Sequence, residues 1–104
     1  MLDSDFSELE EKAGEVATLL RALGNDKRLL ILCKLAGTGE MNVTTMAGEV
    51  GLSQSALSQH LARMRAENIV ATRRDSQTIW YRIADDRTER LMTILYEVFC
   101  VEAK

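Results

Sequence analysis

Between residues 8 and 23, Leu9, Ala13, Val16, Ala17, Leu20 and Leu23 recur mostly at steps of three and four. That spacing predicts a one-sided helix with an acidic outer face, and Ser7 with Glu10 has the form of a capping box at its start. Gly24-Asn25 interrupts the pattern, and Asp26 is placed to cap a second helix over about 27–36. There Leu29, Leu30, Ile31, Leu32, Cys33, Leu35 and Ala36 surround most of the axis, as in a central buried helix, with Gly37 closing it. Asn42 heads a short helix, 43–50, whose inward residues are Val43, Met46, Ala47 and Val50. Gly51-Leu52 reads as a tight turn, and Ser53 caps a helix from 54 to 67. Its apolar stripe is Leu57, Leu61 and Met64, at i, i+4 and i+7.

Beyond Asn68 the period changes. Residues 69–73 and 78–83 are rich in alternating and β-branched residues, separated by the polar insert Arg74-Asp75-Ser76-Gln77. This predicts a β-hairpin. A last helix, 86–100, presents Leu91, Ile94, Leu95, Val98 and Phe99. The expected fold is mostly α with a β-hairpin: a winged helix-turn-helix of five helices and a two-stranded wing, one domain over residues 1–104.

Composition changes this picture only in places. No apolar run approaches the ~20 residues of a membrane span, and the start is acidic rather than basic and then apolar, so a cytoplasmic protein is expected. The net charge of −3 argues against a polyanionic partner until its distribution is read. Residues 1–20 carry Asp3, Asp5, Glu8, Glu10, Glu11 and Glu15 against Lys12, which is six minus one, a net −5. Residues 53–82 carry Arg63, Arg65, Arg73, Arg74 and Arg82 against Glu67 and Asp75, five against two, a net +3. A polyanion responds to the face presented to it.

A short helix, a glycine turn, a second helix and a basic hairpin together describe a reader of duplex DNA. Small polar side chains on the second helix let its axis approach base edges, and a glutamine can pair with adenine through two hydrogen bonds. The same helix offers unpaired N–H groups at its start to a phosphate. Arg73, Arg74 and Gln77 on the hairpin are placed to reach backbone or a neighbouring groove. A solvated polar face is the plainer account, but this one is uncharged near the helix start and donor-rich.

The stretch LSQSALSQHLARMRAENIVATRRDSQTIWYRI, with the earlier LLRALGNDKRLLILCKLAG, resembles the ArsR family of small bacterial repressors from about residue 16 to residue 100. The resemblance implies a homodimer built on the first and last helices and a palindromic double-stranded operator. It implies helix contacts from Ser53, Gln54, Ser55, Ser58, Gln59, His60 and Arg63, and wing contacts from Arg73, Arg74 and Gln77. His60, the single histidine, reads as a phosphate-contacting or merely exposed side chain rather than a catalytic one.

Metal sensing, common in that family, finds little to work with. The third helix, NVTTMAGEV, has no cysteine and the last helix has no histidine. Soft-metal sites need several such ligands converging on one point. No metal and no cofactor is expected, and no enzyme, since a nucleophile, base and orienting group cannot be assembled from one histidine and scattered carboxylates.

Cys33 and Cys100 are the two cysteines. Each alone reads as structural, Cys33 in the core and Cys100 as a tail thiol. As a pair in a reducing compartment they also fit reversible redox chemistry. The contexts RLLILCKL and LYEVFC are similar to the sulfide-responsive, persulfide-sensing branch of the family. That likeness implies that reactive sulfur species join Cys33 to Cys100 through a di- or polysulfide and release the operator. Two alternatives stay open: a general oxidant sensor using a simple disulfide, and a winged helix used only for protein assembly.

Overall fold

The computed structural model describes residues 6–100. Asp3 and Asp5 of the acidic stretch lie outside them. The order is α1 (Phe6–Leu23), α2 (Asp26–Thr38), β1 (Met41–Asn42), α3 (Val43–Val50), α4 (Gln54–Ala66), β2 (Val70–Asp75), β3 (Thr78–Ile83) and α5 (Asp86–Phe99). The five helices and the hairpin are where the apolar periods put them.

Several boundaries differ from the sequence expectation, each for a local reason. Ser7 lies inside α1, not ahead of it. Asn25, not Asp26, caps α2: its backbone is extended, and its Oδ1 accepts from the N–H groups of Lys27 and Arg28 at 3.0 and 3.1 Å. Asp26 then occupies the first turn, where its charge favours the positive helix end. Gly37 does not close α2. The helix runs on to Thr38, and Gly39, at φ 91°, takes the conformation that side chains avoid while its N–H donates to the Leu35 carbonyl.

The sheet has three strands, one more than expected, in the order β1-β3-β2, all antiparallel. The added strand is only two residues long; Met41 pairs with Tyr81 and Asn42 with Trp80. Strand β2 extends further toward the tip than expected, to Asp75, while β3 starts at Thr78 as expected, leaving only Ser76-Gln77 as the turn. Ser76 has φ 59°, and a positive φ at the first turn residue matches strand twist in a two-residue hairpin.

The core is a single cluster at the junction of these elements. Ile31, Leu32, Leu35, Met46, Leu57, Leu61, Met64 and Met92 are fully buried, and Met41, Val70 and Ile83 bring in one sheet face. The central helix α2 packs against α1, α3, α5 and β3, as its all-round apolar pattern requires. The outline is flat, 49 × 37 × 22 Å, with a radius of gyration of 15.1 Å against about 13 Å for a compact domain of this length. The terminal helices leave apolar side chains uncovered. Phe6, Leu9, Val16 and Leu20 on α1, and Ile94, Tyr96, Val98 and Phe99 on α5, are all exposed.

Candidate nucleic-acid interface and paired thiols

Local capping builds the helix-turn-helix. Asn42 Oδ1 accepts from Thr45 N–H at 2.9 Å and starts α3. Gly51 ends it in the left-handed conformation, φ 72° and ψ 39°, with its N–H on the Ala47 carbonyl. Lys27 Nζ donates to the Val50 carbonyl at 3.3 Å, satisfying an orphan group at the helix end. Two residues later Ser53 Oγ accepts from Ala56 N–H at 3.1 Å and α4 begins. Leu57, Leu61 and Met64 seat α4 in the core. The opposite side leaves Ser53, Gln54, Ser55, Ser58, Gln59 and Arg63 open to solvent as one donor-rich face.

His60 departs from that face. It is half-buried, and its Nδ1 accepts from Arg28 Nε at 3.4 Å, tying it to α2. With Nδ1 accepting, the ring proton sits on Nε2, the one ring donor left for an outside acceptor.

Alternation along β2 separates the two wing arginines. Arg74 shares a face with Val70, whose side chain enters the core, and with Ile79, Tyr81 and Ile83 of β3. Arg73 is on the other face, opposite Trp80. Its Nε donates to both oxygens of the Glu40 carboxylate at 3.1 and 2.9 Å, and Nη2 donates to Oε1 at 2.8 Å. The guanidinium carbon lies 5.7 Å from the Trp80 ring centroid. This pairing holds the Glu40 carboxyl below the usual carboxylate range. Arg74 and Gln77 are exposed.

The cysteines come from two packed helices. Cys33 is half-buried on α2, and Cys100 is exposed at the end of α5, its N–H donating to the Tyr96 carbonyl at 2.8 Å. Burial pushes the Cys33 thiol above its ordinary value, and the nearby charge of Cys100 adds to that rise. A cavity of about 410 Å³, lined by Leu30, Cys33, Ala36, Met92, Thr93 and Tyr96 among others, opens beside Cys33 between the same helices. Among the described residues, no three His, Cys, Asp or Glu side chains converge as a metal site would need.

The profile of a family described as "Bacterial regulatory protein, arsR family" matches residues 25–72, which span α2 to the first half of β2. The nodulation protein NolR of Rhizobium meliloti is 48% identical over 92 residues, covering 88% of this chain and 75% of that protein. The chain belongs to the ArsR family. The biofilm growth-associated repressor of Agrobacterium fabrum is 41% identical over 92 residues, 88% of this chain and 78% of that one. The solved structure of the transcriptional repressor BigR from Xylella fastidiosa superposes with a TM-score of 0.84 at 36% identity, covering 92% of this chain and 97% of that one. This ArsR-family protein is thus a DNA-binding transcriptional regulator with a winged-helix fold.

Three residues of the site escaped sequence reasoning: Glu40, Arg28 and Trp80. Glu40 lies 33 positions from Arg73, and Arg28 lies 32 from His60. No periodicity connects residues that far apart. Trp80 carried a signal, as the single tryptophan on a strand beside two arginines.

Proposed function

We propose that the protein is a homodimeric repressor whose operator binding is switched by reactive sulfur species through a di- or polysulfide joining Cys33 to Cys100. What supports this reading is that the two cysteines, 67 positions apart in sequence, belong to helices packed against each other, Cys33 lining the cavity between α2 and α5 and Cys100 standing exposed at the end of α5.

The chemistry has a natural order. The exposed Cys100 thiolate attacks the sulfane sulfur of a persulfide RSSH, giving Cys100–SSH and releasing RS⁻. Cys33, half-buried and harder to ionise, reacts second. If its thiolate attacks the inner sulfur of Cys100–SSH, a disulfide forms and HS⁻ leaves. If a second RSSH has first converted Cys33, its terminal sulfur makes the same attack and leaves a trisulfide. Extra sulfur relaxes the ~7 Å Cα limit of a direct disulfide, which favours sulfane donors over peroxide.

The link would fasten α5 to α2, the central helix against which α3 packs, with α4 packed on α3 in turn. In the dimer, α1 and α5 of the two copies meet through their uncovered apolar faces, and a palindromic operator takes one α4 in each half-site. Tying α5 to α2 then changes the separation of the two reading heads. A change of about 1.4 kcal/mol between states is tenfold in affinity when only one state binds. The protein acts in the cytoplasm, with Ser53, Gln54, Ser55, Ser58, Gln59, His60 and Arg63 on the helix and Arg74 and Gln77 on the wing as its DNA contacts.

The test compares operator binding by wild type, Cys33→Ser and Cys100→Ser, with glutathione persulfide, with peroxide and with neither. Wild type is expected to release DNA with the persulfide and to gain sulfur masses in steps, while both variants stay bound. Normal release by either variant would show that the two-cysteine switch is wrong. An equal response to peroxide would show a general oxidant sensor instead.

A further inference from the structure

Arg73 and Arg74 are adjacent in sequence, yet the pleat sends them to opposite faces of the wing, where their surroundings differ. Arg74 has no acidic partner among the described residues and stands on the sheet face that packs on the helices. Arg73 stands on the outer face, where three N–H···O contacts of 2.8 to 3.1 Å and the Trp80 ring hold it. A guanidinium paired with a carboxylate in this two-pronged way is already neutralised. Leaving Glu40 for a phosphate releases a counterion from the DNA but strands the Glu40 carboxylate, so it trades one charge-assisted pair for another with little net change in salt dependence. Glu40 itself is held by the start of β1, which pairs with β3 beside the wing.

We infer that Glu40 masks Arg73, making Arg74 the working cation of the wing, and that Glu40 thereby sets how strongly and how salt-dependently this protein grips DNA. Glu40 is a positioning residue: it touches no DNA and acts through Arg73. The inference rests on the DNA-binding reading above and departs from the assignment of Arg73 as a contact. The pairing also has a built-in reporter, because Trp80 is the single tryptophan of the chain and Arg73 covers its ring.

The test measures binding to a labelled duplex from the protein's own upstream region over a range of salt, for wild type, Arg74→Ala, Arg73→Ala, Glu40→Gln and the double variant Glu40→Gln/Arg73→Ala. Each phosphate contact contributes about 0.9 to the slope of log affinity against log salt. Arg74→Ala is expected to lower the slope by about that amount, and Arg73→Ala to change it far less. Glu40→Gln frees Arg73, so the slope steepens by about 0.9 and the variant's affinity relative to wild type grows about 3.5-fold for each fourfold drop in salt. In the double variant that gain disappears. Iodide quenching of Trp80 should increase in Glu40→Gln, as Arg73 leaves the ring, while the circular dichroism stays that of wild type. If Arg73→Ala alone lowers the slope as much as Arg74→Ala, Arg73 already leaves Glu40 for a phosphate and the mask is refuted. Retention of the gain in the double variant would refute it as well, since the effect would then be only general charge. Absence of salt-sensitive binding by wild type would overturn the DNA reading itself.

Discussion

The uncovered faces of α1 and α5 make the homodimer the most quantitative of these expectations. Ile94 and Val98 stand one turn apart on α5 and are 51% and 65% exposed, while Thr88 and Met92, on another side of that helix, are buried. Fully burying a side chain of this size stabilises by about 1.5–3 kcal/mol. Half and two-thirds of that remain to be gained at the two positions, so about 1 kcal/mol at Ile94 and about 1.5 kcal/mol at Val98. Two-fold symmetry counts each contact twice, for about 5 kcal/mol per dimer. At 1.4 kcal/mol per factor of ten, Ile94→Ala/Val98→Ala should weaken dimerisation by roughly three to four orders of magnitude. Sedimentation equilibrium over a concentration series reads the constant, and circular dichroism checks that the protomer stays folded, as the unaltered Thr88 and Met92 face leads one to expect. Operator affinity should fall in step, because a palindrome is gripped by two heads. A double variant that dimerises like wild type would refute the placement of the interface on α5.

Leu61→Ala removes a fully buried side chain beneath the reading helix. It should cost about 2–5 kcal/mol in urea unfolding, a large share of a small domain's stability. Acid sensitivity should centre on Arg87, which pairs with Glu15 at 2.7 Å and with Asp85 at 3.1 Å and so joins α1 to the start of α5. Both carboxyls are held below their ordinary values, chiefly by hydrogen bonds from Arg87. Depressed carboxyl pKa values contribute stability that is present above the unfolded values and is lost as pH falls through the folded ones. Urea midpoints measured from roughly pH 5 to pH 3 should therefore fall less steeply for Arg87→Met than for wild type; an unchanged acid limb would show that the network contributes nothing.

How much of this was legible follows the range of each interaction. The helix-turn-helix could be read almost to the residue because its punctuation is local: Asn42 and Ser53 bond to N–H groups three residues on, and Gly51 takes a conformation set by its own φ. The amphipathic stripes of α1, α4 and α5 were equally visible, since a helix repeats its face every few residues whatever packs against it. Local signals failed where two candidates competed. Asn25 and Asp26, or Gly37 and Gly39, satisfy the same rule, and which one ends the helix depends on how α2 seats in the core.

Tertiary structure alone decided the rest. Strand β1 is two residues long and exists only because β3, some forty positions away, offers it partners. Arg73 and Arg74 looked equivalent in a basic run, and only the register of the hairpin and the arrival of Glu40 told a partnered arginine from an open one. The cysteines could be named from sequence, but that their helices α2 and α5 pack on each other is a tertiary fact. The chain by itself determined which elements form and what each presents. Which presented groups meet was settled by long-range packing, whose contacts leave no periodic trace in the sequence.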